Sequence, residues 1–202
     1  MKYCVLLLLI PFCFGADPSC CMPRQATYSK FTVTSQFDQN HNGFHSFEKK
    51  GKVYMDFDNK RRIDIVTKTE NGQSHSIVAY TDYNIGKTYE VVDGHCTIKD
   101  ALLVNGSMPA NCFPGPNAGN YYIGRETLGD TLTDVWRTDL TQSHGFMAVM
   151  HVSVKDCLLM TEIDYGTIQG VKIQSTTILS DAVPRIEDQN VFQVPQQCHH
   201  QP

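Results

Sequence analysis

The sequence predicts an all-β dominated protein, exported and cross-linked by disulfides. Three observations carry that expectation. Apolar and polar residues alternate along most of the chain, Asx-Gly pairs punctuate the alternating runs, and an apolar leader precedes an even set of cysteines.

The leader comes first. Lys2 precedes an apolar run from Val5 to Ile10 that extends through Pro11, Phe12, Cys13 and Phe14 to Gly15 and Ala16, before the polar Asp17. A charged start, an apolar stretch and a small-residue exit describe a secretory signal peptide over 1–15, cleaved after Gly15. The run falls short of the ~20 apolar residues that span a bilayer, and no later segment reaches that length. The expectation is a single exported domain over 16–202, a size that one core can serve. A formal charge of -4 argues against a nucleic-acid partner and against docking on anionic lipid.

The strands follow in order. Tyr28 to Gln36 alternates, with Phe31 and Val33 between polar neighbours. Val53, Met55 and Phe57 share one face, Asp58-Asn59-Lys60 forms a turn, and Ile63 and Ile65 resume the pattern, which predicts a β-hairpin. His75–Thr81, Lys87–Val92, Thr131–Asp139, Phe146–Lys155, Leu158–Asp164 and Val171–Ser180 read as further strands. Asn71-Gly72 and Asp93-Gly94 mark tight turns. Residues 105–120, rich in Pro, Gly and Asn, predict a long loop of the kind that often carries function. Asp100–Val104 and Pro184–Asn190 predict short helical turns. Phe146 to Val154 is apolar on both alternating faces, which suits either a strand covered on both sides or a cavity wall. Methionine adapts to varied ligand shapes, so Met147, Met150 and Met160 are candidate pocket liners beside the simpler reading of core packing.

Cys4 and Cys13 leave with the signal, and Cys20, Cys21, Cys96, Cys112, Cys157 and Cys198 remain. In an oxidising compartment these predict a disulfide framework with fifteen conceivable pairings. Adjacent Cys20 and Cys21 are expected to reach two separate partners, and Cys198 to pin the C-terminus. The spacing lacks the CxxC pairs of a zinc site. Asn105-Gly106-Ser107 is the one N-glycosylation sequon.

Several segments resemble the ependymin family: Cys21-Met22-Pro23, the Tyr54-to-Arg61 hairpin leading to Ile63, Gly94-His95-Cys96-Thr97, Tyr121-Tyr122-Ile123-Gly124, Lys155-Asp156-Cys157, and Val191-to-Pro195 followed by Cys198. The matches run in family order over nearly the whole mature chain. The resemblance implies a secreted glycoprotein, extracellular or in the lysosomal lumen. It implies two curved antiparallel sheets forming an open half-barrel around an apolar pocket, similar to bacterial lipoprotein carriers. It further implies links with lipid-like ligands, homodimerisation, calcium and cell–matrix contact. Carried across by position, the family's disulfides are Cys21–Cys157 and Cys96–Cys198, which leaves Cys20 and Cys112 to pair. The chain lacks two cysteines of vertebrate members, one after the hairpin and one after the closing cysteine.

Asp38-Gln39-Asn40-His41-Asn42-Gly43 resembles the start of a calcium loop, but Lys49 stands where the twelfth-position Glu belongs. If Ca2+ binds, its ligands are expected to be Asp38, Asn40, Asn42 and Glu48. His199-His200 could at most hold a transition metal weakly. No Gly-x-Ser-x-Gly elbow, phosphate loop or His-Glu-x-x-His is present, so a binding protein rather than an enzyme is expected. The leading expectation is a carrier of a lipid or fatty acyl ligand, lined by Trp136, Phe146, Met150 and Val152. The alternative is a calcium-binding matrix or cell–matrix adhesion protein.

Overall fold

The structure, a computed structural model, describes residues 17–38, 43–101, 108, 111–114, 120–140, 145–168 and 171–199. The signal peptide, Asn40, Asn42, His200 and the sequon at Asn105 lie outside the described residues, as does the side chain of Asp38.

The strands are β1 (Cys20–Cys21), β2 (Gln25–Asp38), β3 (Gly43–Asp56), β4 (Arg61–Glu70), β5 (Gln73–Asp82), β6 (Lys87–Val92) and β7 (His95–Asp100), then β8 (Cys112–Phe113), β9 (Asn120–Leu128), β10 (Thr131–Leu140), β11 (Phe146–Ser153), β12 (Leu159–Ile168) and β13 (Val171–Val183). β1 pairs with β8, and the other eleven form one antiparallel sheet in the order β7-β6-β5-β4-β3-β2-β13-β12-β11-β10-β9. The flanks β3–β7 and β9–β12 correspond to the two expected sheets. The β2–β13 pair joins them into one ladder, which stays open with β7 and β9 as its edges.

The hairpins follow from local chemistry. Asn71 and Gly72 both have positive φ (51° and 76°), as do Asp93 and Gly94 (48° and 87°). This is the conformation that two-residue turns of right-handed twist require and that Asx-Gly adopts most readily. The β3–β4 turn is held by Asp56, which is fully buried. Its carboxylate accepts from Asn59 N (3.1 Å), Asn59 Nδ2 (2.8 Å) and Arg61 Nη2 (2.7 Å). The family-like hairpin motif is therefore a structural lock. Arg61 also stacks 4.5 Å from the Phe192 ring centroid, tying the hairpin to the C-terminal segment.

Register shows which way the sheet bends. Trp136 on β10, Val152 on β11, Leu159 on β12, Leu179 on β13, Tyr28 on β2 and Val53 on β3 belong to one buried cluster. Five strand steps separate β10 from β3, roughly 24 Å in a flat sheet. Their side chains can meet only if the sheet curls around the face they share. On this concave face Met22, Met108 and Phe113 close the apolar end over Trp136. On the convex face, Ile63 of β4 and Tyr80 of β5 are covered by Ile186 and Phe192.

Three disulfides fasten these covering segments: Cys20–Cys157, Cys21–Cys112 and Cys96–Cys198. The last matches expectation, but the first two exchange the expected partners of Cys20 and Cys21. The reason is strand geometry. In the β1–β8 ladder Cys21 stands opposite Cys112, and successive strand residues point to opposite sides, so Cys20 turns away toward Cys157.

Two further expectations shift. The turn expected over Asp100–Val104 begins inside β7, which runs to Asp100. The C-terminal helical turns are 3-10 turns at Gln189–Phe192 and Gln196–Cys198, past the expected Pro184–Asn190. Asp188 caps the first, its side chain accepting from Asn190 N at 2.9 Å.

Candidate functional site

The concave face changes character along the strands. Trp136 (1 % exposed) and Val152 (0 %) sit inside the solid apolar cluster, so they fill the core rather than wall a cavity. Met150 packs half-buried against that cluster, and Phe146 is half-buried at the far end of β11. Met147 lies on the convex side, where its Sδ accepts from Tyr165 OH at 3.4 Å. Met160 is half-buried in β12.

Beyond the apolar cluster lies a charged belt. Asp64 of β4 accepts from Lys30 Nζ at 2.6 Å, and from Arg62 Nε at 2.7 Å and Nη2 at 3.1 Å. Lys30 reaches Asp64 across β3 at Gly51, which has no side chain to intervene. A Cβ at Gly51 would collide with the Ile65 carbonyl oxygen. Burial works to raise the Asp64 carboxyl, but the Arg62 and Lys30 charges and hydrogen bonds outweigh it and hold it well below the usual carboxylate range. Glu162 and Asp164 of β12 share this face. Burial, followed by the neighbouring Glu162 charge, pushes the Asp164 carboxyl up to about 7, against the pull of Lys30 and Arg62. That Arg62 on β4 and Asp164 on β12 feel one another again reflects the curl of the sheet.

Past the belt, on the β2–β6 flank, the concave face opens into a cleft of roughly 350 Å³, within the size range of small-molecule sites. Phe47, Ile77 and Val92 supply its apolar surface, and Lys49, Lys68, Glu70, Glu90 and His75 its charge. Most of these groups are already paired. Lys68 Nζ lies 2.7 Å from Glu70 Oε2, Lys99 Nζ 2.7 Å from Glu90 Oε2, and His75 Nδ1 2.5 Å from Asp93 Oδ2. Lys49 has no carboxylate within salt-bridge distance among the described residues, and its Nζ lies 5.5 Å from the Phe47 ring centroid. Burial, then the charge of Lys30, lowers the Lys49 ammonium below its ordinary value.

This cleft was not anticipated from the sequence, although a signal for it was present. Phe47, Lys49, Gly51 and Val53 alternate onto one strand face, so a lysine interrupts an otherwise apolar stripe. Glu48 points to the opposite, convex side and is exposed. Among the described residues no cluster of His, Cys, Asp and Glu could hold a metal ion.

A second arrangement lies on the convex face. Glu126 Oε1 and His151 Nε2 are 2.7 Å apart, and His151 Nδ1 and Thr161 Oγ1 are 2.6 Å apart. Carboxylate, imidazole and hydroxyl in that order resemble a hydrolytic triad. Here they link the outer surfaces of β9, β11 and β12, with Glu126 56 % exposed, on the face opposite the cleft.

No protein-family model matches the chain, and no curated protein matches it either. Solved structures with a similar fold include an uncharacterized conserved protein of Thermus thermophilus (TM-score 0.47, 8 % identity, covering 83 % of this chain and 86 % of that one). A LolA superfamily protein of Nitrosomonas europaea aligns at TM-score 0.35 and 11 % identity over 83 % of this chain and 90 % of that one. LprF of Mycobacterium bovis aligns at 0.36 and 8 % over 85 % and 89 %. Likeness at this level extends to the general architecture alone. Among the described residues no helix is long and apolar enough to cross a membrane.

Proposed function

We propose that the chain is an exported binding protein, not an enzyme, that holds a small hydrophobic or amphipathic ligand in the concave cleft of its sheet. One observation carries this reading. The cleft of roughly 350 Å³ is walled by Phe47, Ile77 and Val92 next to charged groups, so one part of a ligand can leave water while another stays solvated. Each methylene transferred from water to such a surface contributes about 0.8 kcal/mol. Three disulfides and the apolar leader support export, and the sequon at Asn105 supports glycosylation. The family-ordered motifs support membership of the ependymins.

The test is native mass spectrometry of the secreted, disulfide-intact protein, with organic extraction of what it carries and displacement of a fluorescent fatty acid. Bound ligand is expected in the wild type and lost in Val92→Trp, whose indole fills the cleft. Absence of any co-purifying molecule, together with failure to bind the probe, would overturn the proposal.

A further inference from the structure

Three lysines step across the concave face, one on each of β2, β3 and β4. Lys49 on β3 stands directly opposite Lys68 on β4, and Lys30 on β2 is its diagonal neighbour through the Thr32–Lys49 and Lys30–Gly51 pairs. Like charges opposed in this way destabilise a ladder unless anions intervene. Two of the three have their anion: Lys30 has Asp64 at 2.6 Å and Lys68 has Glu70 at 2.7 Å. The middle lysine has none among the described residues. It is half-buried, borders the cleft, and shares the Phe47 ring with Lys68, whose Nζ lies 4.3 Å from the ring centroid. The acids of the same cleft cannot serve it without leaving another cation unpaired, because Glu70 holds Lys68 and Glu90 holds Lys99.

We infer that Lys49 is the seat of an anionic group on the ligand, so that the cleft selects amphiphiles with a negatively charged head, such as alkyl carboxylates, over neutral molecules of the same length. A carboxylate at Lys49 would complete the alternation of charge along the lysine row, and its tail would run over Phe47, Ile77 and Val92. The geometry favours this because a buried charge is stabilised by a directly bonded counter-charge, and a charged hydrogen bond is stronger than a neutral one. The inference rests on the cleft-binding reading and narrows it to one ligand class.

The experiment is isothermal titration of the full disulfide-bonded protein with decanoate, 1-decanol and acetate, on wild type, Lys49→Met and Lys49→Arg. Decanoate is expected to bind wild type about tenfold more tightly than decanol, the ratio that one charge-assisted contact gives. Lys49→Met should abolish that preference and Lys49→Arg should keep it, while acetate, lacking a tail, binds far more weakly than decanoate. Decanol bound as tightly as decanoate by wild type, or decanoate bound by Lys49→Met as by wild type, would overturn this inference and leave the cleft reading standing. Binding of neither amphiphile would remove both. A measurement without a variant guards against misfolding: the Lys49 Cε resonance of ¹³C-lysine wild type, followed through a pH titration, should titrate at higher pH with decanoate present. An unchanged titration at saturating decanoate would also overturn the assignment.

Discussion

The two ends of the concave face are built from the same strands and filled in opposite ways. At one end Trp136, Tyr28, Val53 and Val152 are closed over by Met22 and Phe113, segments that Cys20–Cys157 and Cys21–Cys112 hold in place. At the other, Lys30, Lys49, Arg62, Asp64, Glu162 and Asp164 face one another around a cleft that nothing among the described residues fills. A single strand illustrates the change: Val53 of β3 is wholly buried and Lys49 borders the cleft, although both lie on one strand face. The difference teaches that the apolar end makes the fold and the charged end is tolerated by it. Burying ionic groups costs stability that only good pairing offsets, and one member of the belt is left without a pair.

Substitutions at the two ends should therefore separate in size and sign. The largest effect belongs to Trp136→Ala, which leaves a void where the cluster is tightest. It should destabilise by about 3–5 kcal/mol in chemical denaturation. A loss below about 1 kcal/mol would mean that the apolar end is not the part that makes the fold. Next comes the clamp on the same end. Cys20→Ser with Cys157→Ser should cost about 2–4 kcal/mol and leave Cys21–Cys112 intact in non-reducing peptide maps. Maps of the wild type that join Cys21 to Cys157 would instead restore the pairing that the family resemblance implies.

Much of this architecture was legible in the residues, and the boundary of legibility is physical. Alternation marks strands because the side-chain period of a strand is two, and Asn71-Gly72 and Asp93-Gly94 mark turns because their backbone conformations are rare for other residues. The β3–β4 hairpin was legible for the same reasons, and its Asp56–Asn59–Arg61 lock explains the motif. What the sequence withheld depends on register and curvature. Trp136 looks like a pocket liner as one aromatic in one strand; it becomes core only when the curl brings Tyr28 and Val53 against it. Lys49, Lys68 and Lys30 come from three strands, and only the ladder aligns them. The exchange of Cys20 and Cys21 turns on which way each points from a two-residue strand, which no spacing rule records. The calcium candidates give no contrast to weigh, since Asn40 and Asn42 lie outside the described residues.

Within the charged belt a smaller effect should appear with a definite pH dependence. In the folded protein burial and Glu162 raise Asp164 from 3.8 to about 7. The folded state then keeps a proton that the unfolded chain releases between about pH 4 and 7, so this group's contribution to stability falls as pH rises through that window and is constant above it. Asp164→Asn, a permanent mimic of the protonated form, should stabilise by about 1 kcal/mol at pH 8 and by almost nothing at pH 4. Asp64 runs the other way: its lowered carboxyl contributes above the unfolded value and loses that contribution as pH falls below about 4. Equal effects of Asp164→Asn at both pH values would show that Asp164 is not held against its charge.

The smallest expected change is the one that best divides the two ends. Lys49→Met keeps the length of the side chain and removes a half-buried ammonium that Lys30 and Lys68 repel and no carboxylate offsets among the described residues. Only a weak contact 5.5 Å from the Phe47 ring centroid is lost. In ligand-free protein the variant should be as stable as wild type or more so, by up to about 0.5 kcal/mol, where a methionine-sized change at Trp136 or Val53 would cost several times that. Because burial and the neighbouring lysines lower the ammonium below 10.5, the unfolded chain binds that proton more tightly. The wild-type penalty is therefore fully present at neutral pH and lifts as pH climbs toward the ordinary lysine value, closing the gap between the two proteins. A destabilised Lys49→Met at pH 7 would mean that the ammonium already has its partner inside the fold, and the charged end would then be architecture like the apolar one.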